Sequence, residues 1–321
     1  MPGGIGTRRL IFVTGKGGVG KTVVTASLAG LLARQGLRVL CIELCEVPSL
    51  GPVLGIPFPT YRPVQAAPGI LCARYTPAEC MEEYGLMKLK LRGLYDLVFK
   101  NTFVKTLVEM MPGAEELLVI GKIGYMVQSA LRNGPRSPYD VLLVDAPPTG
   151  QGAGLFTLPQ TVLSAVGSGP VAREMKLVRD LLGDRNLTAG LIVTNPEELA
   201  VDEALELATT LGTQAGLPLE GIVVNKCLAT GAGGTAGREI ARIWVNARRS
   251  RQDLSPPYPQ VSAALQVFQI EDCQRQEILR LSTRSGLPML EMPWLAFDRP
   301  SEEDLMRLAA SLEPLFGRQP W

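Results

Sequence analysis

Two textures alternate along this chain. Short continuous apolar runs, bounded by glycine, proline or charge, fit strands buried on both faces, and longer stretches with apolar residues three and four apart fit helices. The first run, Arg9–Thr14 (RLIFVT), ends in glycines and predicts a strand. A helical pattern follows from Lys21 to about Gln35, with Gly36 placed to end it. Arg38–Leu44 (RVLCIEL) predicts a second strand, and Ile70–Tyr75 a third beyond the Pro/Gly-rich piece Val47–Gly69. Further strands are expected at Tyr139–Asp145, Leu187–Thr194, Leu219–Asn225 and Pro288–Pro293, with helices at Pro196–Leu211 and Ser301–Leu315. Alternation of this kind predicts one α/β domain over residues 1–321, its mostly parallel sheet covered by helices on both faces.

Between residues 77 and 135 the texture is helical, and the region reads as a helical subdomain inserted between strands. Met81, Met87, Met110, Met111 and Met126 fall here, interleaved with leucine and phenylalanine. Such a stripe serves either as a soft apolar groove for varied partners or as plain core between helices and sheet. Ala229–Gly237 (ATGAGGTAG) is the expected mobile loop, and Arg248–Arg251 reads as a solvated helix end.

Composition narrows the function. Hydrophobic residues make up 46% and charged residues 20%, with a net charge of +1. Near-neutral charge gives no case for nucleic acid or an anionic membrane surface. No run approaches the roughly 18 apolar residues of a membrane span, and the start is too short for a signal peptide, so direct membrane insertion is not expected and the cytoplasm is the expected location. The chain has no histidine, which removes every scheme needing an imidazole base. Six cysteines without a C-x-x-C pair fit free thiols better than a disulfide framework or a structural zinc site.

The strongest chemical signal follows the first strand. Gly15-Lys16-Gly17-Gly18-Val19-Gly20-Lys21-Thr22 matches G-x-x-x-x-G-K-[ST], the loop whose inward backbone N–H groups surround phosphate oxygens. Lys21 is placed to reach the β- and γ-phosphates, and the Thr22 hydroxyl to take a position on Mg²⁺. The binding set for ATP or ADP is therefore Gly15, Lys16, Gly17, Gly18, Val19, Gly20, Lys21, Thr22 and the adjoining Val23. A metal-side acid is expected at the end of another strand, and Asp145 closes the apolar run Val141–Val144. The glycines of Thr149-Gly150-Gln151-Gly152 predict a loop that moves with the γ-phosphate.

Lys16 goes beyond the general pattern. With it, the loop resembles the K-G-G-x-G-K-[ST] of the deviant Walker-A ATPases. These include the arsenite-pump ATPases with their tail-anchored-protein targeting relatives, the MinD/ParA family and the nitrogenase iron protein. Asp145-Ala146-Pro147-Pro148-Thr149-Gly150 is similar to the switch II motif of the arsenite-pump and tail-anchor targeting branch, and Ile222–Lys226 resembles its late strand. The resemblance implies an ATPase using Mg²⁺, a homodimer or a heterodimer with a homologous ATPase, and a Lys16 that touches the partner's phosphates. It further implies that Asn225 contacts the base, with Pro293 a second base contact, and that the helical insert handles an apolar client protein.

The chain departs from that branch in three places. Cys45 stands where the family's switch I aspartate positions the attacking water, leaving nearby Glu43 as the candidate for that role. The zinc-binding C-x-x-C of the eukaryotic targeting members is missing, and Gln151 replaces a switch II histidine. Lys16, Glu43 and Asp145 are the expected catalytic residues, with Thr22 and Asp145 holding the metal. Cys72, Cys80, Cys227 and Cys273 do not map onto the pump members' arsenite site. Two other readings stay open: a nucleotide-sensing pseudo-ATPase paired with a competent relative, and a positioning switch of the MinD/ParA kind.

Overall fold

The computed structural model describes residues 4–44, 47–89, 114–166, 168–228 and 259–316. Among these, eight strands form one sheet: β1 (Leu10–Gly15), β2 (Val39–Glu43), β3 (Val64–Ala67), β4 (Ile70–Arg74), β5 (Val141–Asp145), β6 (Thr188–Thr194), β7 (Leu219–Cys227) and β8 (Met289–Pro293). Their order is β3-β4-β2-β5-β1-β6-β7-β8. Every neighbouring pair is parallel except β3 with β4. The fold is thus an α/β fold consistent with a P-loop NTPase.

The central strands are buried throughout, as continuous apolar runs require when both faces are covered. Strand alternation splits the residues between two cores. Leu10 and Phe12 of β1 face one core, while Ile11 and Val13 face the other. The second core is closed by α1 (Lys21–Arg34), the short α2 (Leu50–Val53) and α9 (Glu302–Ala310). Ser301 caps α9 through a reciprocal capping box with Asp304.

The first core is closed by α4 (Ala114–Asn133), α5 (Thr149–Val166), α6 (Pro170–Gly183) and α7 (Glu198–Thr209). Phe12 and Phe156 meet edge to face there, with centroids 4.9 Å apart. Two further α-helices among the described residues are α3 (Pro77–Leu89), packed on α4, and α8 (Pro259–Ser285), packed on α7. None among the described residues is long and apolar enough to cross a membrane.

Helices α3 and α4 lie in the stretch read as a helical insert. In α4, Val119, Ile120, Ile123, Met126, Val127 and Ala130 form one buried face in the sheet's own core. Met126 is therefore core and Met81 is half-buried. The side chain of Met87, and Met110 and Met111 as a whole, lie outside the described residues. So do the expected mobile loop Ala229–Gly237 and the basic piece Arg248–Arg251.

Two expectations are corrected. The Pro/Gly-rich piece before Ile70 contains β3, an edge strand too exposed to show as an apolar run. Thr149–Gly152 forms the first turn of α5 rather than a loop. Glycine in a helix costs about 1 kcal/mol, which the buried Leu155 and Phe156 of the next turns offset.

Candidate active site

Parallel strands bring their carboxyl ends to one edge, and ligands bind there. Glu43 ends β2, Asp145 ends β5 and Gly15 ends β1, with Glu43 in register with Asp145 and Asp145 with Val13. The phosphate loop leaves β1 at Gly15, where a side chain would overlap the Val193 carbonyl of β6. It ends at Gly20, whose φ of 95° is the left-handed region that favours glycine. Helix α1 then starts at Lys21, aiming its first-turn N–H groups at the same spot.

Around that spot the polar groups are organised but incompletely paired. Lys21 Nζ donates to the Lys16 carbonyl at 3.0 Å, folding the lysine over its own loop. The Thr22 hydroxyl donates to Asp145 Oδ2 at 2.7 Å. Asp145 is fully buried, and burial pushes its carboxyl up to about 7; the Thr22 hydrogen bond and the Lys21 charge pull it down, while the Glu43 charge pushes it further up. Asp145 Oδ1 and Glu43 Oε2 are buried without a hydrogen-bond partner.

Two orphaned carboxylate oxygens beside a threonine hydroxyl are the donor chemistry that a hard divalent cation takes. The residues present therefore fit Mg²⁺ on Thr22 and Asp145, with phosphates in the loop. No cluster of three or more acidic, cysteine or histidine ligands exists among the described residues, so water and phosphate oxygens would complete the shell.

Glu43 is more committed than its sequence position suggested. Its Oε1 accepts the Ser49 N–H at 2.5 Å, the Leu50 N–H at 2.9 Å and approaches the Ser49 hydroxyl at 3.2 Å. The carboxylate thereby caps α2 from outside. Ser49 Oγ also lies 3.1 Å from Thr22 Oγ1. Cys45 lies outside the described residues, as does the side chain of Gln151.

On the other flank, β7 holds the loop. Asn225 Nδ2 donates to the Val19 carbonyl at 2.8 Å, and Lys226 Nζ to the Gly18 carbonyl at 2.9 Å. Lys226 adopts φ 59°, an uncommon conformation for a side-chain-bearing residue at a strand end. Pro293 pairs with Cys227 on the next strand out, at the same end of the sheet. Lys16 Nζ lies 2.8 Å from Glu203 Oε1 of α7.

Sequence reasoning missed Ser49, Lys226 and Glu203. Lys226 adjoins a residue already singled out, which was signal enough. Ser49 and Glu203 belong to no motif and reach the loop only through the fold. Among the thiols, Cys72, Cys80 and Cys227 are buried, and burial pushes each up to about 12, with the Glu43 and Asp145 charges adding to the push on Cys72. Cys41 and Cys72 are register partners on β2 and β4, and Cys273 is exposed.

Known proteins carry the same arrangement of sequence. The profile of the anion-transporting ATPase family matches residues 8–168, which run from before β1 to just past the end of α5. The chain is 31% identical over 231 residues to the ATPase BagA of Mycobacterium tuberculosis, covering 68% of this chain and 65% of that one. It is 30% identical over 165 residues to an arsenical pump-driving ATPase of Acidiphilium multivorum, covering 50% of this chain and 27% of the relative. A second arsenical pump-driving ATPase, from Escherichia coli, is 28% identical over 167 residues. This chain thus spans just under two thirds of the mycobacterial relative's length. With the loop motif, Asp145 and the matched family profile all falling in the same half, the chain belongs to the anion-transporting ATPase family.

Proposed function

We propose that this protein binds ATP with Mg²⁺ and hydrolyses it to ADP and phosphate, as a dimer closed by the nucleotide. The observation that carries the reading is the Thr22–Asp145 hydrogen bond beside two unpartnered buried carboxylate oxygens, under a lysine already folded over the loop. Lys21 and the loop N–H groups bind the phosphates, Thr22 and Asp145 serve the cation, and Asn225 and Pro293 flank the base. Lys16 completes the partner's site by stabilising charge on the transferred phosphoryl group. Turnover in this reading drives residues 77–135 between states that hold and release an apolar client.

The test is steady-state hydrolysis of ATP with Mg²⁺ by the wild type, Lys16→Ala and Lys21→Ala over a range of protein concentrations. Expected is a specific activity that rises with concentration and is lost in both variants. Wild-type turnover no higher than that of Lys21→Ala would overturn the self-sufficient enzyme. A second reading is favoured by the hydrogen bonds that occupy Glu43 Oε1. If Glu43 cannot align water and Cys45 does not, the chain senses nucleotide and a homologous partner supplies the hydrolysis. Turnover appearing only after Cys45→Asp would support it.

A further inference from the structure

Ser49 lies outside the motif that binds phosphate, yet it touches both halves of the cation site. Its hydroxyl is 3.1 Å from Thr22 Oγ1 and 3.2 Å from Glu43 Oε1. A serine hydroxyl carries one proton and can donate it to only one of these. Thr22 directs its own proton to Asp145 Oδ2, so toward Ser49 it offers a lone pair. Glu43 Oε1 offers the alternative, and it already gathers the Ser49 and Leu50 N–H groups. The hydroxyl therefore sits between two acceptors, one on the phosphate loop and one on the clasp that fixes the start of α2.

We infer that Ser49 is a positioning residue that reports cation occupancy at Thr22 to the start of α2. The inference rests on the Mg²⁺–nucleotide reading above. A divalent cation on Thr22 takes one of its two lone pairs and withdraws electron density from the other, so Thr22 becomes a poor acceptor for Ser49. The Ser49 hydroxyl, which already donates to Glu43 Oε1 at 3.2 Å, is then left with that carboxylate as its acceptor, alongside the Ser49 and Leu50 amides. Glu43 is suited to this task because it is fully buried, and its second oxygen, without a hydrogen-bond partner, stays available toward the cation beside Asp145. The start of α2 is thereby held more firmly when the cation is bound, without any carboxylate having to move.

The experiment uses the full chain with ADP and Mn²⁺ as the spectroscopic probe. Mn²⁺ affinity is read by electron paramagnetic resonance, and hydrogen exchange over residues 47–54 is followed with and without Mg²⁺. In the wild type, the cation should slow exchange at Leu50. Ser49→Ala should weaken Mn²⁺ binding about tenfold, the effect of removing an outer partner of a ligand, and should abolish the cation-dependent slowing. Ser49→Thr, which keeps the hydroxyl, should restore both. Wild-type Mn²⁺ affinity together with undiminished slowing in Ser49→Ala would overturn the inference alone. Failure of the wild type to take up Mn²⁺ with ADP would overturn the nucleotide reading and this inference with it.

Discussion

The Lys16 ammonium and the Glu203 carboxylate lie 2.8 Å apart, each about one-third exposed, so the lysine expected to act on a partner is held by its own chain. To reach another subunit's phosphates, Lys16 must leave Glu203. Pairs this exposed contribute about 0.2–1 kcal/mol, so releasing the lysine costs little. Glu203→Gln should therefore raise nucleotide-dependent dimer formation by about 1.5- to 5-fold, the equivalent of that energy range. Sedimentation velocity with ATP and Mg²⁺ reads the dimer fraction directly. A lower fraction in the variant would mean that Glu203 orients Lys16 for its partner rather than restraining it.

Asp145 gives the nucleotide-free protein a distinctive pH dependence. Its carboxyl is held up at about 7, chiefly by burial, so the folded state binds a proton more tightly than the unfolded chain. Between about pH 4 and 7 the folded state thus holds more protons, and stability falls as pH rises, by at most about 1.4 kcal/mol per unit. Asp140 runs the other way, because Arg38 holds its carboxyl below the ordinary value and its contribution is lost only on acidification. Comparing wild type with Asp145→Asn cancels that opposing group. The variant should gain thermal stability over the wild type as pH is raised from 5 to 8, and should lose Mg²⁺-dependent stabilisation by ADP. Equal pH profiles for the two proteins would show that Asp145 is ionised in the folded protein throughout.

The aromatic contact beneath the site makes a plainer prediction. Phe156 is 1% exposed and stands edge to face on Phe12, which precedes the phosphate loop on β1. Phe156→Ala removes that contact and leaves a cavity, at a cost of about 3–5 kcal/mol. Chemical denaturation should show a lower midpoint with an unchanged slope. A loss below 1 kcal/mol would mean that α5 repacks freely against the sheet.

Much of this arrangement was legible in the sequence because the central strands are buried on both faces. Runs such as Val141–Val144 then read as unbroken apolar stretches, and the loop after β1 carries its own spacing. β3 was not legible, since an edge strand with exposed Val64 and Gln65 has no apolar run to show. The start of α5 was misread because its glycines signal a loop locally, while the residues that make it a helix lie one turn later. Glu203 could not be found at all: on α7 it is an ordinary surface acid, and only the β1–β6 pairing brings its helix to Lys16. Glu43 stands in register with Asp145, but its bonds to Ser49 and Leu50 depend on a turn that no motif announces.

The junction of Gly20 and Asn225 offers a test by non-additivity. A Cβ at Gly20 would overlap Asn225 Nδ2, and the residue also sits at φ 95°. Gly20→Ala therefore combines a backbone cost of about 1–2 kcal/mol with displacement of the amide that holds the Val19 carbonyl. Asn225→Ala alone leaves that carbonyl without its partner, at about 0.5–1.5 kcal/mol. In the double variant the overlap is gone and the carbonyl contact can be lost only once. Its destabilisation should fall short of the sum of the single variants by about 0.5–3 kcal/mol, the range for residues in contact. ADP affinity, measured by calorimetry, should fall in both single variants and fall no further in the double than in Gly20→Ala. Strict additivity in stability and in affinity would mean that β7 does not set the shape of the phosphate loop.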